Sequence, residues 1–237
     1  MTDEQLADLL ALPHEQSHVE YKSPARFKYQ PLTARVVRAA LGMANRRDGG
    51  MVIVGIEESQ GQINPKGLSP QQLATWVHDH IADEFRRYAG PSIRFEQVIR
   101  QYNGNPFVVL TIHEFDDVPV ICQKQYQHPG DKQPILRKGA IYVRPRGKPE
   151  SVEVCTVEDM RDLVDLAADK LLRKHVARNL DAGWPAPGMS TARDADAFAQ
   201  ELAQGWGAHE RNMLDKITNR GSWHVVIRPE EYQQAAH

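Results

Sequence analysis

The chain reads as an α+β protein, a mixed sheet flanked by helices with a small C-terminal helical appendage ending in a strand. Three observations predict this. Residues 32–45 carry apolar side chains at helical period, at Leu32, Val36, Val37, Ala40, Leu41 and Ala44. Asp48-Gly49-Gly50 then stops the helix, and the apolar β-branched run 51–56 has the pattern of a strand buried on both faces. Further on, two alternating runs, 93–100 and 107–114, are joined through Asn103-Gly104, a strong hairpin signal. Helix and strand alternate first and an antiparallel meander follows, which makes the sheet mixed.

The remaining elements fall around these. Residues 3–12 form a short acidic-faced helix with Leu6, Leu9 and Leu10 on its apolar side, ended by Pro13. Residues 19–22 are extended. Ser69-Pro70 starts a helix expected to run to about Tyr88, with Leu73, Val77, Ile81 and Phe85 four apart. Short strands are expected near 120–122 and 141–144. Thr156 and Asp159 frame a capping box that opens a helix to about Leu172. A domain over 1–172 is thus followed by a Gly-, Pro- and Ala-rich linker, 173–193. A helical extension, 194–237, closes with an alternating stretch at 223–228 that suits the first strand of a further domain or one added to a partner's sheet.

The chain has 237 residues, 41% hydrophobic and 25% charged, with a formal net charge of -2. That is an ordinary globular composition, so any affinity for nucleic acid must come from where charges sit and not from overall basicity. They are unevenly placed. From Lys22 to Arg47 there are seven basic residues (Lys22, Arg26, Lys28, Arg35, Arg38, Arg46, Arg47) and no acid. From Lys132 to Lys148 there are six more, Lys132, Arg137, Lys138, Arg144, Arg146 and Lys148, again without an acid. The first twenty residues hold Asp3, Glu4, Asp8, Glu15 and Glu20 and no lysine or arginine. No leader-like start and no apolar run of about 18 residues is visible, so a cytoplasmic protein is expected. Cys122 and Cys155 stand singly between apolar neighbours and read as buried thiols without zinc spacing.

Clustered acids beside clustered bases suit the holding or cutting of a phosphodiester. Glu15 and Glu20 precede Lys22, which on an extended chain shares the face of Glu20, and Glu57-Glu58 follow the buried strand. Carboxylates at such a place can hold Mg²⁺ or Mn²⁺, and Lys22 can meet a phosphate as a point charge. Solvated surface acids, with Lys22 paired locally, fit the same spacing. Arg35 and Arg38 share a helix face with Arg46 and Arg47 at its end, while Arg144, Arg146 and Lys148 alternate along an extended segment. Both geometries suit a phosphate backbone, and both also suit a helix dipole and a wet face. Tyr21, Phe27 and Tyr29 interleave with Lys22, Arg26 and Lys28, either to stack bases or to pack. Asp48-Gly49-Gly50 lacks the Lys-Ser/Thr of a P-loop, which disfavours an ATPase, and His78 and His80 face different ways on a helix.

Taken together, Glu15-x4-Glu20-Tyr21-Lys22, Ala44-Asn45-x3-Gly49-Gly50, Val52-Ile53-Val54-Gly55-Ile56-x-Glu58, and Tyr142-Val143-Arg144 before a capped helix resemble the Schlafen AlbA_2 domain, over about residues 7–172. The resemblance implies a Schlafen-like lobe that binds nucleic acid. It further implies a metal-dependent endoribonuclease of tRNA-like RNA whose three acids fall on Glu15, Glu20 and Glu58. The third acid is Glu where aspartate is more usual, and no zinc-finger ligands are present. Schlafens build their RNA groove from two fused lobes and this chain carries one, which implies a homodimer. A non-catalytic module or regulator binding DNA or RNA is the alternative expectation.

Overall fold

The computed structural model describes residues 1–12, 16–59, 62–145 and 150–181. The chain divides into two compact units, Met1–His175 and Val176–His237. Of the second, only the end of one helix lies among the described residues. The expected remainder of the linker, the helical extension and the strand at 223–228 lie outside them.

The centre of the first unit is a four-stranded sheet in the order β1-β2-β7-β6, from β1 (Val19–Lys22), β2 (Gly50–Val54), β6 (Phe95–Tyr102) and β7 (Asn105–Ile112). β1 and β2 are parallel, with Glu20 opposite Val52 and Lys22 opposite Val54. β2 runs antiparallel to β7, and β7 to β6. The sheet is mixed, as the sequence predicts. The β6–β7 turn is Asn103-Gly104, with φ of 49° and 76°. Positive φ at both central residues matches the right-handed twist of the strands it joins.

Between β1 and β2 runs α2 (Gln30–Ala44), closing a parallel βαβ unit. Side chains alternate across the sheet. Val52, Val54, Val108, Leu110 and Ile112 pack on one face with the buried positions of α2. Val19, Tyr21, Ile53, Phe107 and Val109 pack on the other, beneath Leu6 of α1 (Asp3–Leu10). Burying one such aliphatic side chain is worth about 1.5–3 kcal/mol, so both faces are strongly specified. The same alternation turns Glu20 and Lys22 toward the α2 side.

The turn from α2 into β2 is tight: Asp48 and Gly49 both have φ of 65°. A Cβ at Gly49 would stand 2.1 Å from the Ile112 carbonyl oxygen, so no side chain fits there. β2 ends at Val54, two residues short of the expectation, because Gly55 at φ 120° redirects the chain. A hairpin unforeseen from the sequence follows, β3 (Ile56–Ser59) with β4 (Gln62–Pro65).

The helix expected over 69–88 is two helices, α3 (Pro70–Leu73) and α4 (His78–Tyr88). Trp76 is the reason. Its ring is buried against Phe27, centroids 5.0 Å apart, and its indole N–H donates to the Ala25 carbonyl at 3.0 Å. Holding Trp76 there leaves Val77 extended, and a tertiary contact overrides local periodicity. Tyr88 leads directly into β5 (Ala89–Gly90), which pairs with β8 (Ile121–Cys122); β9 (Tyr142–Val143) pairs with β10 (Val152–Glu153). The last helix, α5 (Val157–Asp181), begins where expected, with the Thr156 hydroxyl accepting the Asp159 N–H at 3.1 Å. It continues past Leu172, since Arg173 to Asp181 contains no glycine or proline. The residues expected to open a linker at 173 are helical through 181. Cys122 is buried as read, but Cys155, in the turn before α5, is exposed.

Candidate functional site

Glu20 is the best-defined of the candidate acids. Its residue is 9% exposed, and its two carboxylate oxygens are shared between two cations. Lys22 Nζ donates to Oε1 and Arg144 Nη1 donates to Oε2. The Arg144 side chain is fully buried, and it also donates to the carbonyls of Ser17 and Val19, each at 2.8 Å. β1 is an edge strand, so Arg144 satisfies backbone carbonyls that no neighbouring strand reaches. The expectation that Arg144 tracks a nucleic-acid backbone is therefore corrected. Burial and the contacts to Glu20, Ser17 and Val19 take its guanidinium off the surface.

The close approach that seats this arrangement needs Gly42. A Cβ there would meet the Ser151 hydroxyl at 2.4 Å and the Arg144 side chain at 3.5 Å. Arg38, one turn earlier on α2, is half-buried. It donates to the Ser151 carbonyl at 2.9 Å and lies 5.1 Å over the Tyr142 ring. Asn45, at the C-terminal end of α2, is buried and reaches two further segments. Its amide N–H₂ donates to the carbonyls of Val120 (2.8 Å) and Tyr142 (2.9 Å), and its oxygen accepts the Val120 N–H at 2.7 Å.

The other candidates separate into engaged and free. Arg46 donates to the Gly49 carbonyl at 2.9 Å and to that of Arg47 at 3.2 Å. Arg47 pairs with Asp169 of α5 at 2.7 Å, and Arg137 forks onto Glu153. Arg26, Lys28, Arg35 and Lys138 are exposed, and none forms an ion pair among the described residues. Tyr29, at the N-terminus of α2, is 57% exposed, whereas Tyr21 and Phe27 are buried and serve packing. Glu58 is exposed on β3, a hairpin that touches β1, while neighbouring Glu57 pairs with Lys66 at 2.6 Å. Glu15, Arg146 and Lys148 lie outside the described residues. His78 stacks on Phe95, ring centroids 4.7 Å apart.

Among the described residues no group of three or more His, Cys, Asp or Glu side chains could hold a metal ion. Lys22 and Arg144 each meet one oxygen of the Glu20 carboxylate, and Glu15, the remaining acid of the expected set beside Glu58, lies outside the described residues.

His18, within the Glu15–Glu20 segment, went unremarked in the sequence. Burial lowers its pKa below the ordinary 6.5, and the charges of Arg46 and Arg144 lower it further. Its position between two acids was the available signal, but the guanidinium groups that perturb it come from distant segments. On the other side of Arg47, burial pushes the Glu114 carboxyl up, yet hydrogen bonds from Lys170 and the Asp48 N–H, with the charges of Lys170 and Arg47, hold it below its usual value. Both groups bind protons more weakly folded than unfolded. Stability is therefore lost as pH falls: first below about 6.5, as His18 protonates in the unfolded chain, then below about 4.5 through Glu114. Melting temperature against pH checks this, and His18→Gln is expected to flatten the first decline while leaving the second.

The mixed sheet with its parallel βαβ unit, the helices on its faces and the bracketed edge strand define an α+β domain. The chain belongs to the Schlafen AlbA_2 family, whose model matches residues 15–151. No curated protein matches it. Among solved structures it is similar to the DIP2311 protein of Corynebacterium diphtheriae, at 15% identity and a TM-score of 0.45, over 67% of this chain but only 27% of that one. It is also similar to the N-terminal domain of a protein related to the ATP-dependent DNA helicase RecG, from Nitrosomonas europaea, at 19% identity and a TM-score of 0.42, over 65% of this chain and 93% of that one. No helix among the described residues is long and apolar enough to cross a membrane.

Proposed function

We propose that this chain is a nucleic-acid-binding domain that takes structured RNA such as tRNA and works as a homodimer. The observation that supports it best is the exposed set Arg26, Lys28, Tyr29 and Arg35 around the start of α2, with no ion pair among the described residues. Three free cations beside one exposed ring meet what a backbone-tracking, base-stacking surface needs. Unlike Arg47 and Arg137, they need not release an internal acid before they meet phosphate.

Gel shift and fluorescence titration with tRNA, and with duplex and single-stranded DNA, test this reading. Replacing Arg26, Lys28 and Arg35 together by Glu should weaken binding by about a hundredfold or more and flatten its salt dependence by about three phosphate contacts' worth. Binding unchanged by the triple variant would overturn the assignment, and a preference for DNA would change the ligand.

Endoribonuclease activity, with Mg²⁺ or Mn²⁺ held by Glu15, Glu20 and Glu58, is the second reading. The neighbourhood of Glu20, Lys22 and the β3 hairpin carrying Glu58 favours it. Ligation by Glu20 would exchange one of its two cations for the metal. The test is incubation with tRNA and Mn²⁺ or Mg²⁺, against EDTA and against Glu58→Gln. That substitution changes an exposed carboxylate and leaves the fold alone. Discrete fragments lost in both controls support a nuclease; intact tRNA that still shifts on a gel leaves a binding module.

A further inference from the structure

The central sheet has two edges, and they are finished differently. At β1, Arg144 takes the carbonyls of Ser17 and Val19. At the other edge β6 runs for eight residues and pairs with β7 alone among the described strands. The hairpin fixes which of its backbone groups face out. Tyr102 and Asn105 close the two-residue turn as a hydrogen-bonded pair, so the bonds to β7 fall on Tyr102, Arg100, Val98 and Glu96. The N–H and carbonyl of Phe95, Gln97, Ile99 and Gln101 therefore point away from the sheet. Asp3 takes the Gln101 N–H at 3.2 Å and closes that end of the edge. The Ile99 carbonyl accepts from its own neighbour, Arg100 Nη1, at 3.0 Å, and the Ile99 side chain is 48% exposed. An open edge of this length is a template for another strand.

We infer that β6 pairs antiparallel with β6 of a second copy of this chain, about a twofold axis at Val98, joining the two sheets into one. Outward-facing residues must oppose one another in such a pairing. With the axis at Val98, Gln97 of each copy lies opposite Ile99 of the other. Both are outward-facing, so each of these pairs exchanges its backbone hydrogen bonds. Charge complementarity selects the second copy as the occupant and selects this register. Glu96 of each copy comes opposite Arg100 of its mate, at the non-hydrogen-bonded positions where side chains approach closest. Moving the axis by one residue loses the match: at Gln97 it sets Arg94 against Arg100, and at Ile99 it sets Glu96 against Tyr102. Glu96 is 68% exposed, with His113 at 3.3 Å, so its carboxylate is accessible to the mate. Arg100 keeps its Nε by the Met1 carbonyl and Asp3 while its Nη1 turns from the Ile99 carbonyl to Glu96. That carbonyl then accepts the Gln97 N–H of the mate. Isologous contact of one patch with itself is the commonest way for a soluble chain to dimerise. The inference rests on the homodimer proposed above and deepens it.

The test uses the full chain without nucleic acid and reads mass. Sedimentation equilibrium should move from 26.8 kDa at low concentration toward twice that value as concentration rises. Ile99→Pro removes an outward N–H and leaves the β6–β7 bonds in place, so circular dichroism should hold while the chain stays monomeric. Charge reversal gives a second reading. Glu96→Arg alone and Arg100→Glu alone each set like charges opposite one another, and each should weaken association about tenfold or more. Mixing the two variants sets every one of these arginines opposite a glutamate, and heterodimers should form as tightly as the wild type. In a Cys155→Ser background, Glu96→Cys and Arg100→Cys chains should cross-link when mixed and not singly. Opposed positions have Cα atoms about 4.5 Å apart, within disulfide reach. A wild-type chain that stays monomeric at its highest soluble concentration overturns both this inference and the homodimer reading. A dimer that Ile99→Pro and the charge reversals leave intact overturns this inference alone, and the tRNA titration judges RNA binding separately.

Discussion

Replacing Glu20 by alanine will cost this protein about 3 kcal/mol of folding stability. The cause is the group it leaves behind. The Arg144 side chain has no exposed surface, and Glu20 is a carboxylate paired with it among the described residues. Taking away one member of a buried pair leaves the other's charge undercompensated in a place water does not reach, which is worse than never having buried the pair. At this chain length the loss corresponds to a fall in melting temperature of roughly 6–12 °C. Thermal unfolding followed by circular dichroism measures it. Combining Glu20→Leu with Arg144→Met, which removes both charges and keeps much of the volume, should recover part of the loss. A Glu20→Ala protein that melts with the wild type would mean that solvent or Lys22 already screens the pair. The result bears directly on function, because Glu20→Ala is the obvious nuclease-dead variant. If it is unstable, loss of cleavage by it says nothing about metal chemistry, and Glu58→Gln is the cleaner control.

What the sequence could reveal depended on how local the deciding physics was. The helix over 32–45, the tight turn at Asp48-Gly49-Gly50, the Asn103-Gly104 hairpin and the Thr156 cap are written in residues a few positions apart, and the structure has all four. The split of the helix at Trp76 was illegible because the Ala25 carbonyl that holds the indole lies fifty-one residues away. The charge runs failed as a guide to surface charge for the same reason. Both were free of acids along the chain, yet Asp169 reaches Arg47 from 122 residues away and Glu20 reaches Arg144 from 124. An acid-free run is not an acid-free surface. Of the described residues in the two runs, Arg26, Lys28, Arg35, Lys132 and Lys138 remain exposed without an ion pair among the described residues. The motif carried the family resemblance, but the structure gives several of its residues an architectural explanation. Glu20 and Arg144 bracket an edge strand, and Gly49 clears the Ile112 carbonyl.

Asn45 is the sharpest case, and substituting it should destabilise the fold by about 3 kcal/mol, from buried partners worth about 1–3 each. One amide joins the end of α2 to the segments before β8 and at β9. Its three hydrogen bonds use two donors and one acceptor toward Val120 and Tyr142. Alanine removes all three and leaves two carbonyls and an N–H facing a void. Aspartate keeps nearly the same shape, but an ionised carboxylate only accepts. It could still take the Val120 N–H while its other oxygen faced the carbonyls of Val120 and Tyr142, replacing attraction by repulsion and burying a charge. Asn45→Asp should therefore melt below Asn45→Ala at neutral pH, and the gap should narrow as acid protonates the new carboxyl into a donor. Paired melting curves at pH 7 and pH 5 decide it. If aspartate is the milder substitution at both, the amide's donors are not what holds these segments together, and the cross-link must be assigned to the Val120 N–H contact alone.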